Sequence, residues 1–283
     1  MKHILIIGPK SDSTLRSFED HLKSLNYSHD FINDPSKIRL GIESNTDGTM
    51  EVRLKLNNAY VFGKDISIMI RYPYGILPTT KNKEDYFIAN EYYATIWTLC
   101  AAVPNNIVNR PYKLGWQYEQ FFKRIQNETY VPEYFSSASK NLLKLFEESE
   151  YKEIHIQDLL SRDQFILTKN DLVKRNNNFN NKNQYRALFS STSKYIIHLF
   201  VGNWRTTLLN EFDFDVKSNQ HIDFLNRLHK SITDYGVMFF AVVLTVFEGE
   251  VQIVRIETNP PLEWYFNIAV TVNDKLLELL GGE

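Results

Sequence analysis

The chain has 283 residues, 43% of them hydrophobic and 14% aromatic, with a formal net charge of -2 and one cysteine. That length suits two or three packed subdomains, and the apolar content is enough to fold them without disulfide staples. The near-neutral charge gives no broad basic field, which argues against nucleic acid as the partner. Cys100 excludes an intramolecular disulfide and, between Leu99 and Ala101, reads as a small core residue in a reducing compartment. No apolar run approaches the ~20 residues that span a bilayer, and the first residues do not read as a signal peptide. The expectation is therefore a cytoplasmic protein with no membrane partner.

His3 to Gly8 is a continuous apolar run, the pattern of a strand buried on both faces of a parallel sheet. Gly8-Pro9 breaks it, and Ser11 or Ser13 caps a predicted helix to Leu25 with Leu15, Phe18, Leu22 and Leu25 on one face. Tyr27 to Ile32 returns as a strand, completing a strand-helix-strand unit. The Gly-Pro turn is not the G-x-G-x-x-G fingerprint, so no dinucleotide is implied. Gly41 to Gly63 reads as a hairpin with a polar tip at Ser44 to Gly48, and Ile66 to Ile70 as a buried strand ended by a turn at Tyr72 to Gly75. Asp85 to Val103 has helical spacing, with Phe87, Tyr92, Ile96 and Leu99 as core positions. Its aromatic residues read as packing rather than base stacking, because nothing basic is interleaved with them.

Pro104 ends that helix, and a subdomain boundary is predicted where Ile107-Val108-Asn109-Arg110-Pro111 meets a loop. Helices follow at Trp116 to Gln126 and Ser137 to Glu148, the latter with Leu142, Leu145 and Phe146 inward. Strands follow at Glu153 to Gln157, Gln164 to Thr168, Tyr185 to Phe189, Lys194 to Val201 and Trp204 to Leu209. The Asn-rich run Asn176 to Asn183 reads as a mobile loop. His198 reads as a satisfied, half-buried strand imidazole. No G-x-S-x-G nucleophile turn or H-E-x-x-H metal pair appears, and no catalytic residue is assigned.

A helix over Asn219 to Asp234, with Ile222, Leu225, Leu228 and Ile232 inward, leads into the stretch Gly236 to Tyr265. This stretch reads as an apolar strand from Val237 to Phe247, a turn at Glu248-Gly249-Glu250, and a second strand that delivers Glu257 and Asn259 to Pro260-Pro261. Side chains two apart on a strand leave on the same side. A carboxylate and an amide oxygen together suit Mg²⁺, which takes hard oxygen donors and completes its shell with water and phosphates. The same two residues also read as a strand cap and a turn start, since Asn before Pro commonly begins a turn. A last helix is predicted over Asn273 to Leu280.

In this order the elements resemble the ATP-grasp superfamily, and within it the ligases that modify ribosomally made peptides, such as those forming microviridin-type lactones and lactams. The resemblance covers nearly the whole chain as element order. It is specific at Asn109-Arg110-Pro111, at Val131-Pro132, and at Gly236 to Trp264 with Ile256-Glu257-Thr258-Asn259-Pro260. It implies an α+β fold in three subdomains: an α/β pre-ATP-grasp-like domain over 1–108, a middle subdomain of helices plus antiparallel strands over 109–210, and a C-terminal ATP-grasp-like subdomain over 211–283. It also implies Mg-ATP as cofactor, Glu257 and Asn259 as the metal ligands, and activation of a carboxylate as an acyl phosphate that a hydroxyl or amine then attacks.

The family's nucleotide positions fall on or beside Asn109 at the hinge, Tyr118 with Lys123 a turn later, Gln157, and Ser191 in the Ser190-Ser191 pair. Arg255 stands two residues before Glu257. Several of these are not the family's residue types. Val243 stands where the family has an acidic magnesium contact, Gln157 where it has a phosphate-neutralising lysine, and Ile197 where it has an arginine. A Mg-nucleotide triphosphate carries a net charge of roughly -2, so losing those cations weakens its binding sharply. The resemblance then implies a protein of a peptide-modification system, degenerate at the nucleotide site, that binds a peptide substrate, a leader peptide or an active ATP-grasp subunit, and that forms a homodimer. The alternative it leaves open is an active ATP-dependent peptide ligase.

Overall fold

β1 (His3–Ile7) is apolar and buried from Ile4 to Ile7 because both of its faces are covered there. Ile4 and Ile6 join one core with Phe18 and Leu22 of α1 (Ser13–Ser24), while Leu5 and Ile7 join another with Ile96, Leu99 and Cys100 of a later helix. The structure is a computed structural model that describes residues 2–34, 38–44, 46, 50–56, 59–71, 83–103, 106–110, 133–136, 139–158, 164–172, 185–190, 194–212, 215–247 and 249–281. β2 (His29–Ile32) pairs with β1 in parallel. β3 (Arg39–Ser44), β4 (Met50–Leu56) and β5 (Ala59–Phe62) form an antiparallel meander where the sequence predicts a hairpin. β6 (Ile66–Ile70), α2 (Lys83–Ala102) and β7 (Ile107–Val108) complete an all-parallel sheet in the order β2-β1-β6-β7.

Asp12, not Ser11 or Ser13, caps α1: its side chain accepts from the Leu15 amide at 3.0 Å. Leu25 lies beyond the helix end and is 52% exposed, and after Asn26 at φ 52 the chain returns to the core at Tyr27. On α2, Ile96 and Leu99 are buried as expected, but Phe87 is 63% exposed. That helix is apolar around most of its circumference, so spacing alone could not select its inner face.

The middle of the chain forms β8 (Glu133–Ser136), α3 (Ser139–Glu148), β9 (Glu153–Asp158), β10 (Gln164–Thr168), α4 (Lys169–Leu172) and β11 (Tyr185–Ser190). Its antiparallel sheet has the order β10-β9-β11-β8. Leu142 and Phe146 of α3 pack on Ile154, Ile156 and Phe189, whereas Leu145 turns outward. The expected helix over Trp116 to Gln126, Val131-Pro132, the turn at Tyr72 to Gly75 and the Asn-rich run lie outside the described residues.

β12 (Ile196–Val201) and β13 (Trp204–Asn210) pair with β14 (Phe239–Phe247) and β15 (Glu250–Glu257) in the order β13-β12-β14-β15. The change of sheet therefore falls between Ser190 and Ile196, ahead of the boundary expected at residue 210. Both hairpins are strand-rich, so composition does not separate them. α5 (Asn219–Thr233) covers one face of this sheet with Phe224, Leu225, Leu228 and Ile232. α6 (Leu262–Tyr265), a 3₁₀ turn (Phe266–Ile268) and α7 (Ala269–Leu279) follow, so the last helix begins four residues earlier than predicted. The other sheet face shares a core with α1, α7 and the parallel sheet, through Leu199, Val201, Phe239 and Ala241. No helix among the described residues is long and apolar enough to cross a membrane.

Candidate functional site at the end of the C-terminal hairpin

The hairpin register sets which side chains share a face. Glu257 stands opposite Ala241 and Arg255 opposite Val243, while the register jumps from Arg255 to Ile253 at Leu244. The unpaired residue between them is Val254, a β-bulge. The bulge leaves Ile253 and Ile256 in the α5 core and sends Val254 to the opposite face, beside Val243. There Val243, 4% exposed, and Val254 form a small buried cluster with Leu188 of β11, and Tyr195, Ile197 and Trp264 pack against it. This cluster joins the middle sheet to the C-terminal sheet.

Arg255 does face the Glu257 side, as strand parity requires. Its guanidinium lies over the Trp264 ring, 5.0 Å from the centroid, the geometry of a cation–π contact. Glu257 Oε1 accepts the backbone N–H of Asn259 at 3.0 Å. The carboxylate thus closes the turn that follows the strand through the Asn259 backbone.

The turn is held from the N-terminal part of the chain at three successive carbonyls. Asn109 Nδ2 donates to Thr258 O at 2.6 Å, an Arg71 guanidinium nitrogen to Asn259 O at 3.2 Å, and Thr14 Oγ1 to Pro260 O at 3.3 Å. Arg71 is 5% exposed and is paired through Nε with the Asp12 carboxylate at 3.0 Å. Tyr265 donates to Thr14 Oγ1 at 3.0 Å, and burial pushes its phenol up to about 12.

Asn109 has a structural task where the resemblance implies a nucleotide contact. Its second Nδ2 hydrogen goes to Phe239 O at 2.6 Å, and its Oδ1 accepts from Met238 N and Phe239 N at 3.0 and 2.9 Å. Two donors and two lone pairs are the full capacity of an amide, so none remains for a ligand. The adjacent Arg110 donates to the Cys100 and Val103 carbonyls at the end of α2. The Asn109-Arg110 pair therefore joins α2, the parallel sheet and the C-terminal hairpin. Gln157 stands on β9 opposite Gln164 and Arg186, while Lys123 and Ser191 lie outside the described residues.

Sequence reasoning passes over a polar group beside the Leu188 cluster. The Tyr195 hydroxyl donates to Glu153 Oε2 at 2.5 Å, and His155 Nε2 lies 2.7 Å from that hydroxyl and 3.7 Å from the carboxylate oxygen. The nearby His155 imidazole, with the hydrogen bond from Tyr195, holds the Glu153 carboxyl below its usual range despite burial. Burial and the Glu153 contact push the Tyr195 phenol upward. No spacing signal marks these residues, since Tyr195 and Glu153 are 42 positions apart. Among the described residues, no three His, Cys, Asp or Glu side chains gather as a metal site.

No protein-family model matches the sequence, and no curated protein matches it. Solved structures do match along the whole chain. The Chryseobacterium gregarium RiPP-associated ATP-grasp ligase, in complex with ADP and a leader and core peptide, is similar at a TM-score of 0.60 and 14% identity, covering 99% of this chain and 97% of that one. The macrocyclase MdnC from Microcystis aeruginosa MRC, bound with precursor peptide MdnA, gives 0.62 and 13%, covering 97% and 99%. The chain has the ATP-grasp fold. The ATP-grasp ligase PsnB, complexed with precursor peptide PsnA2 and AMPPNP, is similar at 0.60 and 10% identity, covering 98% and 97%. At these identities the likeness is one of fold, and within that ATP-grasp fold Glu257 and Asn259 end the C-terminal hairpin.

Proposed function

We propose that this ATP-grasp-fold chain serves a peptide-modification system as a peptide-binding or partner subunit, with a cleft between its middle and C-terminal sheets that no longer handles nucleotide. The observation that carries the reading is the burial of Val243 with Leu188 and Val254. By resemblance, the Val243 position should hold a carboxylate facing magnesium. Here three aliphatic side chains meet instead, and the donor set at the strand end is one carboxylate and one amide. Mg²⁺ takes six oxygens, and a protein that supplies two must rely on phosphates that its cations help to hold. Arg255, the cation nearest that donor set in sequence, is stacked on Trp264. The peptide part of the reading is supported by solved structures of similar fold, which contain leader, core or precursor peptides.

A second reading, an active Mg-ATP-dependent ligase that forms amide or ester bonds, is favoured by the turn itself. Three side-chain donors fix the carbonyls of residues 258 to 260, the kind of support that orients metal ligands. Thermal unfolding with increasing Mg-ATP separates the two, because a ligand that binds only the folded state stabilises it by mass action. No shift at millimolar nucleotide is expected. A saturable rise in Tm would overturn the first reading and establish nucleotide binding.

A further inference from the structure

We propose that Tyr195 is a latch that holds the cleft between the middle and C-terminal sheets shut. The proposal rests on the reading of that cleft as one that no longer handles nucleotide, and adds the residue that closes it. Tyr195 immediately precedes β12 and is fixed to the C-terminal sheet by its backbone: its N–H donates to Glu211 Oε2 at 2.9 Å, and its carbonyl accepts from Glu211 N at 3.1 Å. Its side chain leaves that sheet for the other one. The hydroxyl donates to Glu153 Oε2 at 2.5 Å and lies 2.7 Å from His155 Nε2, both on β9. The imidazole and phenol rings meet edge to face at 5.5 Å between centroids.

Ser190 at the end of β11 hydrogen-bonds to the Tyr195 hydroxyl, and Arg255 of β15 acts on it electrostatically. The ring packs on the Leu188, Val243 and Val254 cluster, so the polar contact and the apolar plug lie side by side. Glu153 is 7% exposed. A buried carboxylate that loses its hydroxyl partner retains its desolvation penalty, which makes the Tyr195–Glu153 contact costly to break and effective as a lock. A ligand entering between β11 and β14 must displace this ring.

Hydrogen exchange measured by mass spectrometry on the full chain and on Tyr195→Phe tests the latch. Removing one hydroxyl from a buried carboxylate is expected to speed exchange in β9 and β11 by about ten-fold, while β1 and β6 keep their wild-type rates. Unchanged exchange in β9 and β11 would overturn the proposal. So would an equal acceleration in all four strands, since that reports global destabilisation rather than a local lock. The result is independent of the Mg-ATP titration of the wild-type chain: nucleotide binding there would sink the closed-cleft reading while this exchange pattern still decided what Tyr195 holds.

Discussion

Asn109 is bonded to Thr258, the residue between Glu257 and Asn259, through a 2.6 Å contact that spans 149 positions of sequence. Its left-handed backbone, φ 48, turns the amide inward from the end of β7 so that all four of its hydrogen-bonding positions meet backbone groups of β14 and of the turn after β15. Asn tolerates that conformation better than most residues.

Asn109→Ala leaves two N–H and two C=O groups without this partner inside the core, and is expected to cost about 2–4 kcal/mol of stability. Asn109→Asp removes both donors and places a carboxylate against two carbonyls, so it is expected to destabilise at least as much at neutral pH. Urea unfolding of the two variants checks this. A loss below about 0.5 kcal/mol in Asn109→Ala, the usual size of a surface substitution, would remove Asn109 from its structural role.

Stability should also fall in mild acid, through a histidine pair on the α5 side of the C-terminal sheet. His198 and His221 approach Nε2 to Nε2 at 2.9 Å, and both are 2% exposed. Burial, reinforced by His221 and Arg205, pushes His198 down to about 3 from 6.5, and burial lowers His221 as well. The unfolded chain therefore takes up protons below pH 6.5 that the folded chain refuses. Stability is complete above pH 6.5 and declines as pH falls from there toward about 3, at up to about 1.4 kcal/mol per pH unit for each proton. The double variant His198→Leu, His221→Leu should flatten the profile between pH 6.5 and 4.5. An unaltered slope in that variant would show that other groups carry the acid sensitivity.

The elements that could be read from sequence are those whose burial is local or two-sided. The run from His3 to Gly8 is apolar because β1 has a core on each face, and Val237 to Phe247 because β14 is central in its sheet. Cys100, fully buried with its thiol pushed up to about 12, follows from its apolar neighbours. The strand end at Glu257 and Asn259 was legible from parity and from the Pro-Pro stop. The supports of that strand end were not legible. Arg71 reaches Asn259 across 188 positions and Thr14 reaches Pro260 across 246, and no spacing rule links residues so far apart. Asn109 stood out in the sequence through its resemblance, but only its contacts separate a structural clamp from a ligand contact. The sheet to which β12 and β13 belong depended on the partner strand, which composition does not name.

Val243 offers the most direct test of the cleft. Val243→Asp puts a carboxylate at the position where the resemblance calls for one, but into a cluster whose members Leu188 and Val254 are 7% and 2% exposed. Without a cation the charge is unpaired and its burial costs several kcal/mol, part of which the side chain avoids by taking up a proton. In magnesium-free buffer the variant should therefore unfold at lower temperature, with the loss easing as pH drops toward the ordinary carboxylate range. That easing runs opposite in sign to the histidine effect, so the two can be separated by comparing variant and wild type at each pH. If millimolar Mg²⁺ with ADP restored the Tm of Val243→Asp while leaving the wild type unmoved, the cleft would still have the shape of a nucleotide site and would lack only its third donor. Failure of that rescue is the expected outcome, because Leu188 and the Tyr195 ring occupy the space beside Val243 that the ligand would need.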